Sequence, residues 1–172
     1  MKQIRINNIA HSLINGPGNR LVIWVQGCPF KCNGCFNQET HSYTGGKFIS
    51  VSQLTNIINT DHSIEGITFS GGEPLLFAKE LTDVLQNIKE SLTRIVFTGF
   101  TLEEILKDEE KKKVILLSDL TIAGRYNQTL SHPFLGKKFL FSSKRISTDY
   151  FNPYKKVEYT IHHTHITKTG IF

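Results

Sequence analysis

Residues 21–35 read LVIWVQGCPFKCNGC and are the most informative segment of the chain. Its first six residues, LVIWVQ, are rich in β-branched and aromatic side chains, a composition typical of a buried strand. A glycine and a cysteine-rich loop follow at once. The stretch therefore predicts a buried strand whose carboxyl end opens directly into a loop of reactive side chains.

That loop holds all three cysteines of the chain, Cys28, Cys32 and Cys35. Three thiols cannot all pair as disulfides, and the chain has no fourth cysteine. A [4Fe–4S] cluster usually takes four Cys ligands, so three would leave one iron open to a ligand that is not protein. A structural zinc site completed by a histidine such as His41 is another interpretation, although the usual second ligand pair is missing. The cysteines alone leave the cluster and zinc interpretations open, together with unliganded thiols.

Strand-like and helical segments alternate along the rest of the chain. Further strands are predicted at residues 65–69, 94–97, 114–117, 138–141 and 157–161. Helices are predicted after capping boxes at residues 50–53 and 101–104, and over residues 77–92. The helix that begins at Thr101 is expected to end at Lys111–Lys113, where cations complement the helix dipole. The alternation predicts right-handed crossovers and a parallel sheet, an α/β fold.

The chemically distinctive segments each follow one of these predicted strands. They are Cys28, the Gly71–Gly72–Glu73 run, the Thr98–Gly99 pair and Asp119. Because active sites of parallel α/β proteins lie at the carboxyl ends of the strands, these segments are expected to line a single pocket. Each has a plainer structural interpretation: Gly71–Pro74 is also a tight turn that opens a helix, and Thr98–Glu104 is also a capped helix start.

The composition narrows the range of functions. The chain has 172 residues, 39% of them apolar, and a formal net charge of +5 at pH 7. This length suits one hydrophobic core, so a single domain over residues 1–172 is expected. No apolar run reaches membrane-spanning length and the first residues do not resemble a signal peptide, while clustered free cysteines suit a reducing cytoplasm. The modest charge fits a solvated surface, so no membrane or nucleic-acid partner is expected.

The C-x3-C-x2-C spacing together with Gly71–Glu73 resembles the radical S-adenosylmethionine (SAM) enzymes. The resemblance implies that Cys28, Cys32 and Cys35 hold a [4Fe–4S] cluster, and that the amino and carboxylate groups of SAM bind its open iron. The SAM contacts that it implies are Phe36, Asn37, Ser70, Gly71, Gly72, Glu73, Thr98, Gly99 and Asp119. It also implies an incomplete (β/α) TIM-like barrel with a mostly parallel sheet, open on one side.

Three segments resemble the branch that activates glycyl-radical enzymes, in particular the anaerobic ribonucleotide reductase activating proteins. They are residues 15–20 (NGPGNR), residues 98–104 (TGFTLEE) and Asp119 with residues 124–126 (GRY). This chain departs from that branch at Asn15, Ala123 and Lys144. The resemblance implies reductive cleavage of SAM to a 5′-deoxyadenosyl radical, which then generates a glycyl radical on a partner enzyme. It further implies a flavodoxin or ferredoxin-type reductant.

Two other functions remain open at this point. A radical SAM enzyme acting on a peptide or a small molecule would share the same motifs. A non-catalytic iron–sulfur or zinc-binding module would keep only the cysteines. Elsewhere, Trp24 is expected in the core and Arg20 in a structural ion pair. His162, His163 and His165 are expected on a polar surface strand rather than at a metal.

Overall fold

The computed structural model describes residues 2–131, 134–151, 156–161 and 166–171. Within them, seven strands form one sheet: β1 (Gln3–Ser12), β2 (Arg20–Val25), β3 (Lys47–Ser50), β4 (Gly66–Gly71), β5 (Thr93–Thr98), β6 (Leu120–Ala123) and β7 (Lys138–Phe141). The strands of a separate hairpin are β8 (Lys156–Ile161) and β9 (Ile166–Ile171). The helices are α1 (Val51–Thr60), α2 (Ala78–Asn87), α3 (Leu102–Ile105) and α4 (Glu109–Leu117). His162, His163 and His165 lie outside the described residues.

The sheet is open and mixed, with the strand order β3-β1-β2-β4-β5-β6-β7. Its centre consists of β2, β4, β5 and β6, which run parallel and follow one another in chain order. Both margins are antiparallel, formed by β1 and β3 on one side and by β7 on the other. The prediction of an α/β fold with a parallel central sheet is confirmed. Two of the marginal strands, β1 and β3, were not predicted.

Helices and aromatic residues cover opposite faces of this sheet. Helix α2 packs against both α1 and α4. Three helices side by side on one face are what crossovers of the usual right-handed kind produce between successive parallel strands. Ile23 and Phe69 point into that core, together with Leu54 of α1. On the other face, Ile95 and Ile122 pack with residues that follow β7 and with the rings of a phenylalanine cluster, Phe97, Phe134, Phe139 and Phe151. Side chains alternate between the two faces because the period of a strand is two.

Both predicted capping boxes are present. The Ser50 side chain accepts a hydrogen bond from Gln53 N at 3.2 Å, and Ser50 N donates to Gln53 Oε1 at 3.1 Å. Thr101 and Glu104 make the same reciprocal pair at 3.3 Å and 2.8 Å. The capped starts of α1 and α3 therefore follow from local sequence alone.

The fourth predicted strand was wrong, because residues 114–117 are the last turn of α4 and the strand is β6. A short apolar run suits either structure, and here Asp108 decides it by capping α4 through its contacts with Glu110 N and Lys111 N. The lysines were also misplaced. They lie in the first half of α4, where each pairs with the acidic residue three positions earlier.

The helix before β5 is shorter than predicted. Residues 74–77 form a 3-10 turn, and α2 runs only from Ala78 to Asn87 instead of to residue 92. Every helix in the described part of the chain is too short or too polar to cross a bilayer.

Arg20 is fully buried at the start of β2 and ties three strands together. Its guanidinium donates to Thr68 Oγ1 at 2.8 Å, to Thr93 Oγ1 at 2.7 Å and to Thr93 O at 2.9 Å. Among the described residues no carboxylate forms an ion pair with it, so the predicted ion pair was wrong. Burial lowers the pKa of Arg20 to about 10. Hydroxyl and carbonyl oxygens satisfy this cation instead of an acid.

Candidate active site

The cysteine loop begins at the carboxyl end of β2 and closes on itself. Gly27 N donates to Thr40 O at 2.8 Å, and Cys28 N donates to His41 O at 3.2 Å. Gly27 has φ +105°, a conformation that glycine adopts without strain. Cys28 is buried, whereas Cys32 and Cys35 are half-buried, and all three are free thiols. These two hydrogen bonds join the start of the loop to its end at Thr40 and His41, and the three cysteines lie between them.

The surroundings of Cys28 and Cys35 favour the neutral thiol. Burial raises the pKa of Cys28 and of Cys35, and backbone N–H groups near each sulfur offset this only in part. The thiolate is the form that ligates metals. These positions thus suit thiolates whose charge is balanced by iron.

The Gly71–Gly72 pair is packed against the cysteine strand and loop. Gly71 has φ +92°, and a Cβ there would lie 2.7 Å from the Val25 backbone. A Cβ on Gly72 would lie 2.3 Å from Gly27 O. The glycines therefore allow the β4 loop to approach the cysteine loop, and Glu73 N completes this contact by donating to Gly27 O at 2.9 Å.

Glu73 is fully buried and joins the β4 loop to the β5 loop. Its Oε1 accepts hydrogen bonds from Leu75 N at 2.8 Å and from Thr98 Oγ1 at 2.7 Å. Its Oε2 accepts one from Gly99 N at 2.7 Å. Burial raises the pKa of Glu73 to about 7 in spite of these hydrogen bonds. The carboxylate thus acts as an internal brace within the described chain.

Aromatic residues form one wall of the site. The Phe36 ring meets Tyr126 edge-on at a centroid distance of 5.3 Å, and Phe36 is 43% exposed. Next to it, Asn37 Nδ2 donates to Gly71 O at 3.4 Å. This contact connects the end of the cysteine loop to the glycine pair.

One cavity gathers nearly all the predicted site residues. Its volume is about 120 Å³. Of the predicted residues, those that line it are Cys28, Cys32, Cys35, Phe36, Asn37, Ser70, Gly71, Gly72, Glu73, Thr98 and Gly99. Three loops that follow β2, β4 and β5 supply them, so the expected meeting of loops at one sheet edge is what the structure has.

Asp119 does not belong to this cavity, and its predicted role was wrong. It precedes β6, which is parallel to β5, and therefore lies at the opposite edge of the sheet. Its carboxylate accepts hydrogen bonds from Arg94 N at 2.8 Å and Ser143 Oγ at 2.5 Å, and pairs with Arg145 at 3.3 Å. The error follows from the misassigned strand at residues 114–117.

The segment between β6 and β7 also lines the cavity. It contributes Gly124 and Tyr126 just after β6, and Phe134 and Lys137 just before β7. The Lys137 ammonium donates to Gly124 O at 2.5 Å and, within the described residues, pairs with no carboxylate. Burial lowers its pKa, and the electrostatic influence of Cys32, Glu73 and Cys35 opposes that effect. Had the strand been predicted at residues 120–123 and not at residues 114–117, the segment after it would have been predicted to line the site.

The donor set fits an iron–sulfur cluster with one open iron. Three thiols share a cavity with a half-buried cation, which suits a cluster whose thiolate ligands make it anionic. Among the described residues, no three His, Cys, Asp or Glu side chains lie close enough together to bind a single metal ion. A cubic cluster does not need such a group, because each thiolate binds a different iron.

Comparisons with known proteins agree with this site. A family model described as a 4Fe-4S single cluster domain matches residues 14–146. The anaerobic ribonucleoside-triphosphate reductase-activating protein of Haemophilus influenzae is 32% identical over 132 residues, which cover 72% of this chain and 84% of that protein. The pyruvate formate-lyase-activating enzyme of Clostridium pasteurianum is 39% identical over 114 residues, which cover 60% of this chain and 48% of that enzyme.

Among solved structures, QueE from Escherichia coli matches with a TM-score of 0.48 and 22% identity, over 59% of this chain and 55% of that one. The family model defines the class, proteins with a 4Fe-4S single cluster domain. Within this class, the chain belongs to the radical SAM activase family of the anaerobic ribonucleoside-triphosphate reductase-activating proteins.

Proposed function

We propose that this protein is a radical SAM activase that generates a glycyl radical on a partner enzyme such as anaerobic ribonucleotide reductase. The observation that carries the proposal is the single cavity shared by the three cysteines, Gly71–Glu73 and Thr98–Gly99. When bound, the cluster supplies the electron that cleaves SAM, and the resulting 5′-deoxyadenosyl radical removes a hydrogen atom from a glycine of the partner.

The three cysteines are the proposed cluster ligands. Buried Cys28 and half-buried Cys32 and Cys35 line the same cavity as Lys137, whose positive charge would partly balance the negative charge of a thiolate-ligated cluster. Phe30 and Phe134 line this cavity and limit the access of water to it. Exclusion of water protects reactive species and strengthens electrostatic interactions.

The loops that hold Gly71–Gly72 and Thr98–Gly99 are the proposed binding site for the methionyl end of SAM. Glu73 already accepts hydrogen bonds from Leu75 N, Thr98 Oγ1 and Gly99 N, so its carboxylate serves mainly to hold the segment after β4 and the segment after β5 at a constant distance. Lys137 offers an ammonium group to an anionic ligand in the same cavity. The Phe36–Tyr126 pair offers an apolar surface that suits an adenine ring.

We also propose an overall architecture, a domain extent and a reductant for this protein. We expect the sheet to curve into an incomplete (β/α) barrel, since its central strands are in chain order with helices on one face. Residues 1–172 would form a single domain whose open side admits a loop of the partner. A flavodoxin or ferredoxin-type protein would supply the electron, in the reducing cytoplasm that free cysteines require.

The proposal is tested by anaerobic reconstitution with iron and sulfide. Dithionite and SAM are then added, and 5′-deoxyadenosine and methionine are quantified. Wild-type protein is expected to form both products, while Cys32→Ala forms neither. Adding a glycyl-radical enzyme from the same genome should give a glycyl-radical EPR signal that depends on SAM. Zinc instead of iron in the purified protein, or a complete cluster without SAM cleavage even with the partner, would contradict the proposal.

A further inference from the structure

Arg125, which follows β6, sits where three parts of the site meet. Its guanidinium donates to both carboxylate oxygens of Glu104, at 2.9 Å and 2.7 Å, and to the Gly99 carbonyl oxygen. A two-point contact of this kind fixes the plane of the guanidinium as well as its position. The Arg125 hydrogen bonds hold the pKa of Glu104 down at about 2.

The guanidinium group of Arg125 lies over the Phe30 ring in the cysteine loop. The guanidinium carbon of Arg125 lies 3.5 Å from the centroid of the Phe30 ring. Phe30 stands between Cys28 and Cys32, and its other neighbour is Phe100, which it meets edge-on at 4.8 Å. A cation over an aromatic face at this distance is an attractive contact.

Phe30 in turn rests on Gly99. A Cβ added to Gly99 would lie 2.5 Å from the Phe30 ring and 3.3 Å from Glu73 Oε2. The ring is therefore held between the β5 loop and the Arg125 plane. Through Gly99 this stack reaches the Glu73 carboxylate, which accepts a hydrogen bond from Gly99 N.

The tip of the cysteine loop has a conformation that needs such support. Lys31, next to Phe30, has φ +45°, and among the described residues it is the one non-glycine residue in this left-handed region. Non-glycine residues in this region carry strain that tertiary contacts must offset. Backbone hydrogen bonds tie the base of the loop at Gly27 and Cys28, whereas the Lys31 side chain is exposed. Phe30 is thus a main anchor for the tip.

We propose that Arg125 is a positioning residue for the cluster loop: anchored by Glu104 and Gly99, its guanidinium plane clamps Phe30 and so fixes the relative positions of Cys28 and Cys32. This inference rests on the proposed function, because it assumes that these cysteines ligate a cluster. It assigns Arg125 an action through Phe30 and not a contact with the cofactor.

The test compares the loss of iron from reconstituted protein to excess EDTA, without SAM and without oxygen. Arg125→Met keeps a long side chain but removes the planar cation. We expect it to release iron about tenfold faster than wild type, and to broaden the EPR signal of the dithionite-reduced cluster. Arg125→Lys retains the charge without the plane, so its rate should lie between the two.

Arg145→Met is the matched control, because it also removes an arginine ion pair, with Asp119, but at the opposite edge of the sheet. It should keep the wild-type iron release and EPR signal even where its thermal stability falls as much as that of Arg125→Met. Equal iron release from both variants would overturn the proposal. A loss of SAM affinity in Arg125→Met with unchanged iron release would also overturn it, by making Arg125 a direct cofactor ligand.

Phe30→Leu provides a second test should Arg125→Met fail to fold. It removes the ring and leaves the Arg125–Glu104 pair in place. Fast iron release from Phe30→Leu supports the clamp, and a wild-type rate refutes it. Failure of the proposed function is distinguishable. Wild-type protein that assembles no [4Fe–4S] cluster removes the basis of both proposals, whereas a complete cluster without SAM cleavage contradicts the proposed function alone and leaves the iron-release comparison valid.

Discussion

The buried carboxylate of Glu73 accepts a hydrogen bond from the backbone N–H of Gly99 at 2.7 Å, and this contact joins the β4 loop to the β5 loop at the floor of the cavity. The same carboxylate accepts bonds from Leu75 N and Thr98 Oγ1. One side chain therefore connects the loop after β4 to the loop after β5, and both loops line the cavity with the cysteines.

Glu73→Gln should weaken both the fold and the cofactor site. All three partners of the carboxylate are donors, and an amide NH2 in place of one oxygen puts a donor against a donor. Near pH 4.5 we expect a loss of roughly 2–3 kcal/mol in the free energy of unfolding, a difference that shrinks toward pH 7 as the wild-type carboxyl group ionises. SAM binding should also weaken. Urea denaturation and equilibrium SAM binding measure the two effects. Glu103→Gln, at an exposed position, is the control and should change neither.

The stability contributed by Glu73 should depend on pH. Its pKa is raised from 4.5 to about 7 in the folded protein, so between these values the folded state binds more protons than the unfolded state. Stability must then fall as pH rises from about 4.5 to about 7, by about 3 kcal/mol in total. Urea midpoints measured across this range should show the decrease in wild type and a flatter profile in Glu73→Gln. Parallel profiles for the two proteins would refute the assignment.

Gly72→Ala should separate the two loops that the glycine pair brings together. The new Cβ would lie 2.3 Å from Gly27 O, a backbone atom that cannot move without shifting Cys28. Overpacking of this kind destabilises by about 1–3 kcal/mol, and we expect lower iron content after reconstitution. Gly45→Ala is the control, because its Cβ would lie 3.2 Å from the Gln26 side chain and not against backbone, so that a small side-chain shift is enough to accommodate it. Full iron content in Gly72→Ala would contradict the prediction.

Lys137→Met should make the cluster harder to reduce. Reduction adds negative charge beside the cysteines, and the ammonium group stabilises that charge across the same cavity. We expect the midpoint potential to shift to more negative values in an anaerobic EPR titration, and SAM to bind more weakly. Lys138→Met removes a neighbouring exposed cation and is expected to leave both quantities close to wild type. A potential unchanged by Lys137→Met would argue against this electrostatic role.

Asp119→Asn should affect stability and leave the chemistry intact. The carboxylate holds Arg94 N, Ser143 and Arg145 together at the edge away from the cavity. Its replacement is expected to cost about 1–3 kcal/mol of folding free energy. The yield of 5′-deoxyadenosine per assembled cluster should match wild type. A selective loss of SAM cleavage with normal stability would restore the role that the sequence suggested for Asp119.

Short-range features were predictable from the sequence. The strand before the cysteines, the strand at residues 138–141 and both capping boxes depend on residue types within a few positions of each other. Residues 114–117 were not predictable in this way, because four apolar residues suit a strand or a helix and the choice depends on the Asp108 cap and on packing. Because of that one error, Asp119 was predicted at the wrong edge of the sheet, and the loop after β6 was not predicted to line the site.

Local residue patterns were enough to predict the chemistry that this protein can support: three closely spaced thiols, glycines where backbones must approach, and segments that begin directly after strands. How these parts support one another depends on the tertiary structure. Glu73 with Gly99, and Phe30 with Arg125, are far apart in the chain, and no local pattern encodes their contacts. The physical reason is that burial and hydrogen-bond partners are set by which strands become neighbours, and that depends on the folding of the whole sheet.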